Sequence, residues 1–554
     1  MTALFEALDA NPLLYWGVAW TCFGLCAGSA LLAGSGNEPA QPRNPAAHPA
    51  LFACLIVATL CAFRWPSWFM PWQINPDESQ IIAGALTLRE TPVFWKAVDG
   101  TTHGPVNEYL LMLLSLLGWP LTFAGARVLA AGLIAGALIG VWGTLRRFLP
   151  EQLARLGILP GLAFWAFSWF GDFLHLSSEL AAIFLLACAG WGLATALTAG
   201  SPSPWLLGAT GVLLALVPLA KLQAAPLALL LGLGGLIILG WRRPAGWLKA
   251  AASLAGGAAG VVVALLVFLI TFGLLAQFWI SYVQSNLGYA AMGSHPWTEM
   301  PNHFFEFMTT GQSFSWFFYG SMAYALLHAR SAWQEGTPTL RTALAAGWLG
   351  TGVSYFCILA PGREVAHYLQ LLVLPVTLLT ALHLSVTNDR ERRLPTLLLF
   401  LLLAVAPQLQ NRIVAAQEQL GHLAEFKAQP FSAGGAYIRE RMRPGERLTV
   451  WGWNAQLHVE TQLPQGTREA HTAFQIMDGP YRDFYRSRFL RDLQRRKPEW
   501  FVDAVGPKRF AFEYRHIDGH ETIPELDQLI REQYALVAEV DSMRVYRRKT
   551  SLQP

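Results

Sequence analysis

Two adjacent carboxylates, Asp77 and Glu78, stand in Asn75-Pro76-Asp77-Glu78-Ser79-Gln80, just past an apolar run. Carboxylates at a membrane boundary are costly unless they are solvated or used. Asn-Pro also opens helices, so the same pair reads as a first helical turn facing its own dipole. The stretch continues to Asp99-Gly100-Thr101-Thr102-His103-Gly104-Pro105. A second stretch, Gly171-Asp172-Phe173-Leu174-His175-Leu176-Ser177-Ser178-Glu179, again sets two carboxylates and a histidine between apolar runs. Cations accompany them. Arg127 opens an apolar run, Lys221 interrupts another, and Arg363 is followed by Glu364, His367 and Tyr368. Taken singly, each cation reads as an anchor whose charged head snorkels to the interface. As a set, these residues make a site with carboxylates, and with cations suited to a phosphate or pyrophosphate. Gln277, Phe278, Trp279, Tyr282, Asn286, Tyr289 and Trp297 read as an aromatic belt, with stacking on a sugar or isoprenoid as the other use.

The elements that must position these residues are apolar helices. Of the 554 residues, 53% are hydrophobic and 14% charged, where soluble domains carry about 25% charged residues. A bilayer core of about 30 Å needs roughly 20 helical residues. Uncharged runs at 11–37, 128–145, 222–241, 250–298 and 342–362 meet that length. Basic clusters at Arg146-Arg147, Arg242-Arg243, 328–341 and Arg390 to Arg393 belong in cytoplasmic loops. Spans are then expected near 13–34, 51–66, 126–144, 157–171, 179–198, 205–220, 222–241, 248–275, 312–329, 342–360, 366–385 and 394–408, about twelve in all. This threading puts the candidate residues and both termini on the outer face, with the weakly charged loop 35–50 inside and a large outer loop at 67–125. Within that loop, 106–119 is read as an amphipathic or re-entrant helix. It is short for a crossing, and a crossing there would turn every later basic loop outward. The N-terminus lacks a positive leader, so the first run is expected to be a retained membrane helix.

From 409 onward charges become frequent and long apolar runs stop. The expected fold class is an α-helical polytopic membrane protein, with a transmembrane domain at 1–408 and a small extracytoplasmic α/β domain at 409–554. Strands are predicted at 447–453 and 500–505, a basic helix at 481–496 ended by Pro498, and a hairpin at 536–540 and 543–548. The net charge of +4 is small and the basic residues are scattered, so nucleic acid is not an expected partner. All six cysteines lie in apolar runs, without metal-ligand spacing or a disulfide framework. Walker-type, His-Glu-x-x-His and Gly-x-Ser-x-Gly motifs are absent, which leaves nucleotide-driven transport and metalloprotease chemistry without support.

The ordered set resembles the GT-C glycosyltransferases over roughly residues 51–408. The nearest likeness is to protein O-mannosyltransferases, lipid A aminoarabinose transferases and bacterial dolichyl-phosphate-mannose-protein mannosyltransferase-like proteins. Asp77-Glu78 matches the acidic pair of the first outer loop, and His103-Gly104-Pro105-Val106 matches a Pro-containing motif that reads Lys-Pro-Pro-Leu in some relatives. Arg127, the Asp172–Glu179 stretch, Lys221 and His367-Tyr368 follow in the family's order. The resemblance implies a GT-C fold and an inverting transfer of one sugar from a polyprenyl-phosphate donor to an extracytoplasmic glycan, lipid or protein acceptor. It implies Asp77, with Glu78, as the catalytic acid–base group. Arg127, Lys221, Arg363, His367 and Tyr368 would hold the donor phosphate. His103, Asp172, His175 and Glu179 would orient the acceptor. A divalent metal, where one is used, would fall to Asp77, Asp172, His175 and Glu179. There is no Trp-Trp-Asp motif, and Trp451-Gly452-Trp453-Asn454 reads as a strand end, so transfer of a whole oligosaccharide to Asn is not expected. The implied localisation is the bacterial inner membrane, with the site and C-terminal domain on its outer face.

Two other readings compete. A flippase or transporter of polyprenyl-linked glycans would need polar residues at mid-bilayer, and the spans are nearly uncharged there. An O-antigen polymerase or ligase would carry its large outer loop between late spans. Here the large outer parts are the first loop and the C-terminus.

Overall fold

The computed structural model describes residues 11–33, 48–293, 296, 298–310, 312–388, 390–409, 412 and 431–551. Trp297, most of the loop 35–50 and most of 409–430 lie outside the described residues. Two compact units are formed. One comprises Met1–Phe69, Val128–Leu265 and Gly293–Glu425, and the other Met70–Arg127, Leu266–Met292 and Phe426–Pro554.

The chain is a multi-pass membrane protein. Eight helices among the described residues are long and apolar enough to cross a bilayer: Leu13–Leu32, Pro49–Phe69, Phe123–Leu145, Ser178–Thr198, Leu222–Arg242, Trp247–Thr271, Pro338–Leu359 and Ala366–Ser385. The other expected spans differ for local reasons. Pro204–Ala220 and Leu394–Leu409 are apolar but shorter. The span expected at 157–171 holds a nine-residue helix, Leu159–Phe167, set off at Ile158 from the preceding helix Glu151–Gly157. Pro160 in the first turn of the nine-residue helix has no N–H to continue an earlier ladder. Gln312–Glu335 has 24 residues but includes Gln312, Ser313, Ser315, His328 and Arg330. Val106–Leu116 has 11 residues, about 16 Å of helix against a core of about 30 Å.

In the first unit, small residues let helices approach closely. A Cβ on Gly211 would stand 2.0 Å from the Leu254 carbonyl oxygen, and one on Gly257 would stand 2.0 Å from the Gly208 carbonyl oxygen. Pro204–Ala220 and Trp247–Thr271 therefore meet backbone to backbone, as small-residue stripes permit in membranes. Gly211→Ala is expected to destabilise the protein by about 1–3 kcal/mol, because neither backbone can yield. A Cβ on Gly260, on the same long helix, would meet nothing within 4 Å, so Gly260→Ala should be neutral or stabilising by up to about 1 kcal/mol. Thermal unfolding in detergent checks both, and equal effects at the two positions would contradict the close packing.

The second unit holds a four-stranded sheet: β1 (Leu448–Trp451), β2 (Trp500–Asp503), β3 (Tyr534–Val540) and β4 (Met543–Arg548). Its order is β1-β2-β4-β3, with β1 and β2 parallel and the other pairs antiparallel. The β3–β4 turn places Asp541 and Ser542 at φ 50° and 59°, the left-handed pair that suits a two-residue hairpin. Both sheet faces are covered. Trp451 and Phe501 enter one core with Phe489, Leu526 and Ile530, while Val450, Trp500, Val502 and Val545 enter another. Helix Arg482–Arg496 ends at Lys497, φ 51°, just before Pro498.

The first-loop residues belong to this same unit. Ala83 of helix Pro76–Glu90 packs with Ala455 and Ala470. The Gln465 N–H donates to Thr87 Oγ1 at 2.9 Å, and the Asp99 N–H to the Arg468 carbonyl at 2.8 Å.

Candidate functional site

In the second unit the site is built on the start of helix Pro76–Glu90. The Asn75 side chain accepts the Asp77 N–H at 2.9 Å. Pro76 opens the helix, where a missing N–H costs nothing. Asp77 is half-buried and Glu78 fully buried. Arg127 grips Glu78 as a fork, with Nε 3.1 Å from Oε2 and Nη2 2.6 Å from Oε1. The same guanidinium donates to the Met70 carbonyl at 2.7 Å and the Trp72 carbonyl at 2.6 Å. The Ile74 N–H donates to Glu78 Oε1 at 2.7 Å. Glu78 and Arg127 thus fix the turn in which Asp77 sits.

His103 lies 2.5 Å, Nε2 to Oε1, from the buried Glu108 of helix Val106–Leu116. Glycine at 84 makes room for this pair, since a Cβ there would stand 2.7 Å from Glu108 Cγ. Gln80, one turn beyond Asp77, meets His471 at 3.1 Å, and the His471 ring stacks on Trp453. Burial pushes the His471 imidazole down to about 4, against the opposing pull of Asp77 and Asp99, so the ring is neutral at physiological pH. Arg488 reaches Asp99 at 2.5 Å and Glu469 at 2.6 Å. Burial works against its charge, but Glu469 and Asp99 outweigh that and raise its pKa.

The first unit gathers six of the other candidates. Lys221 follows helix Pro204–Ala220 as its C-cap. Its Nζ lies 2.8 Å from Glu179 Oε1 and donates to Ser178 Oγ at 2.9 Å. The ammonium also sits 5.1 Å from the Tyr368 ring centroid, within cation–π range. His367 stands between two carboxylates, 3.7 Å from Asp172 Oδ2 and 3.9 Å from Glu179 Oε2. The His175 ring meets the His367 ring edge-on at 5.4 Å. Gln370, one turn beyond His367, donates to the Asp172 carbonyl at 3.3 Å and to Ser177 Oγ at 3.1 Å. The buried Arg64 braces the same loop through the Leu174 carbonyl at 2.8 Å. Arg363 lines a separate small hollow with Met300, His303, Phe307 and Glu364.

Each cluster thus pairs a cation with a carboxylate that burial would otherwise penalise. Chemically, the cluster of the first unit sets an ammonium, two imidazoles and a tyrosine ring among two carboxylates, and that of the second unit offers a carboxylate on a braced turn. Gln80, Glu108, His471, Arg488, Gln370 and Arg64 are absent from the set read in the sequence. Gln80 and Gln370 were findable, each three residues past a candidate on the same helical face. His471 and Arg488 carried no local signal.

Among the described residues, two groups bring three metal-ligating side chains within 4.8 Å of one another: His303, Glu306 and Glu364, and Asp503, His520 and Glu521. Neither contains Asp77, Asp172, His175 or Glu179. The second already has cations in place, with Arg515 at 3.0 Å from Asp503 and Arg544 at 2.5 Å from Glu521.

No protein-family model and no curated protein matches the chain. Several solved structures are similar to it. ArnT from Cupriavidus metallidurans bound to undecaprenyl phosphate is 14% identical, with 90% of this chain and 98% of that chain covered and a TM-score of 0.48. The oligosaccharyltransferase AglB from Archaeoglobus fulgidus, in complex with an inhibitory peptide and a dolichol-phosphate, is 12% identical over 91% and 74% of the two chains, with a TM-score of 0.46. The arabinofuranosyltransferase AftD from Mycobacteria is 15% identical over 90% and 40%, with a TM-score of 0.40.

Proposed function

We propose that this chain is a membrane glycosyltransferase of the GT-C type, moving one sugar from a polyprenyl-phosphate carrier to a hydroxyl of an extracytoplasmic acceptor. The observation that carries the reading is the division of labour between Asp77 and Glu78. Glu78 is buried and committed to Arg127 and Ile74, while its neighbour is half-buried on a turn that the pair holds rigid. Such a carboxylate suits a general base. The motif order from Asp77 to Tyr368, read as resembling GT-C enzymes, supports the same reading.

The reaction then runs as a single displacement. The acceptor oxygen attacks the anomeric carbon as its proton passes to Asp77. The bond from that carbon to the phosphate oxygen breaks on the opposite side, so the configuration inverts and polyprenyl phosphate leaves. Lys221, His367 and Tyr368 are the groups for the donor phosphate, where a cation steadies the growing charge, and Arg363, in its separate hollow, is the further cation read for that role. Asp172, His175, Glu179 and His103 orient the acceptor. Arg127 serves by position, because its donors are engaged by Glu78 and two carbonyls. A lipid carrier suits this chemistry, because nucleotide sugars are confined to the cytoplasm and the candidate residues are expected on the outer face of a bacterial inner membrane.

The test uses the full-length protein in detergent, labelled pentosyl and hexosyl polyprenyl phosphates, and an envelope extract as acceptor. The expected result is label in an acceptor fraction together with release of polyprenyl phosphate. Failure with every donor of both classes would overturn the reading.

A further inference from the structure

Loop 99–104 follows the Asp77 helix and carries a backbone conformation that its residues do not favour. Thr101 has φ 55°, a left-handed value that strains a β-branched residue and persists only where neighbours over-determine it. The neighbours are specific. Gln80 Nε2 donates to the Gly100 carbonyl and to Thr101 Oγ1, both at 3.0 Å. Asp99 Oδ1 accepts the Thr101 N–H at 2.8 Å, and Asn286 donates to the Thr101 carbonyl at 3.2 Å.

Gln80 can do this only if its amide nitrogen faces the Gly100 carbonyl, an acceptor only, and His471 holds the same orientation from the oxygen side. A backbone N–H can only donate, so His471 Nδ1, which meets the Ala473 N–H at 3.3 Å, must be the accepting nitrogen. The ring hydrogen then sits on Nε2, 3.1 Å from Gln80 Oε1. With Oε1 receiving that hydrogen, the Gln80 amide nitrogen points at Gly100 and Thr101. Trp453 stacks on the ring at 4.7 Å and 21°, which holds its plane. All of these residues belong to the second unit.

We infer that His471 is a positioning residue for the proposed transfer, acting through Gln80 to lock loop 99–104 against the helix that carries Asp77. The inference rests on the functional reading above for its link to activity. The C-terminal residues are on this view a working part of the site. The role asks for a hydrogen donor at the Nε2 position and makes no use of proton exchange at His471.

Three full-length variants test it. His471→Gln keeps an N–H donor near the Nε2 position, His471→Leu removes it, and Gln80→Met breaks the next link. The first readout is amide hydrogen exchange over 99–104, which needs no substrate. Exchange should speed by at least about tenfold in His471→Leu and Gln80→Met, and stay within about threefold of wild type in His471→Gln. The second is transfer kinetics. A shift in placement of under 1 Å should lower kcat by about tenfold in the Leu and Met variants, with the donor KM unchanged and the Gln variant restored. Unchanged exchange in both Leu and Met variants, or a Gln variant as impaired as Leu, would overturn the inference. If His471→Leu does not fold, Gln80→Met decides. Absence of transfer by the wild type would instead remove the functional reading, with the exchange result still standing on its own.

Discussion

Asp77→Asn is expected to lower kcat for sugar transfer by about 10²–10⁴-fold, the usual worth of general-base assistance, while the protein purifies and unfolds as wild type does. The side chains are equal in size, so no cavity or clash is introduced. The cap survives, because Asn75 accepts the backbone N–H of position 77, which the substitution leaves in place. What is lost besides basicity is one first-turn negative charge, worth about 0.3–1 kcal/mol near a helix N-terminus. The two meanings of the Asp-Glu pair therefore separate cleanly. A first-turn charge alone predicts a small drop in stability with full transfer, and a general base adds to that small drop a loss of transfer of about 10²-fold or more. Turnover of labelled polyprenyl-phosphate sugar, read beside a thermal unfolding curve, makes the comparison. Transfer within threefold of wild type would end the assignment of Asp77 as the base.

Much of this architecture was legible because its signals are local. The membrane helices announce themselves by length and lack of charge, and the hairpin of β3 and β4 by two alternating runs around Asp541-Ser542. Positions 157–171 read as one span because hydropathy does not register that the helix there runs only from Leu159 to Phe167. The candidate site was legible as a collection and illegible as a set of pairs. Glu78 and Asp77 are neighbours of the same chemistry, and the cation that distinguishes them, Arg127, lies 49 residues beyond Glu78. His471 meets Gln80 across 391 residues, so no spacing rule reaches it. The unit formed by Met70–Arg127 with Phe426–Pro554 follows from contacts of small residues such as Ala83, Ala455 and Ala470, which carry no pattern in the sequence.

Arg127→Met should destabilise the protein by roughly 3–5 kcal/mol, the cost of leaving a buried charge without its partner. Glu78 has no exposed surface, and its fork to Arg127 is its charge-balancing contact in the described structure. The Met70 and Trp72 carbonyls lose a donor in the same stroke. Removing both charges is a different matter. Hydrophobic residues of similar volume in place of a buried ion pair are often neutral or stabilising, so Glu78→Leu combined with Arg127→Met should recover most of the loss. A double-mutant cycle on thermal or denaturant unfolding in detergent measures that coupling. The recovered variant then isolates the functional part of the pair. Its fold would be stable, yet the Ile74 N–H would have lost its acceptor and the turn at Asp77 its brace. Transfer should remain at least about tenfold below wild type, since misplacing a base by a fraction of an ångström is enough to do so. Full activity in a stable double variant would make the pair a structural feature alone. A single Arg127→Met variant as stable as wild type would show that Glu78 is not held as a buried charge at all.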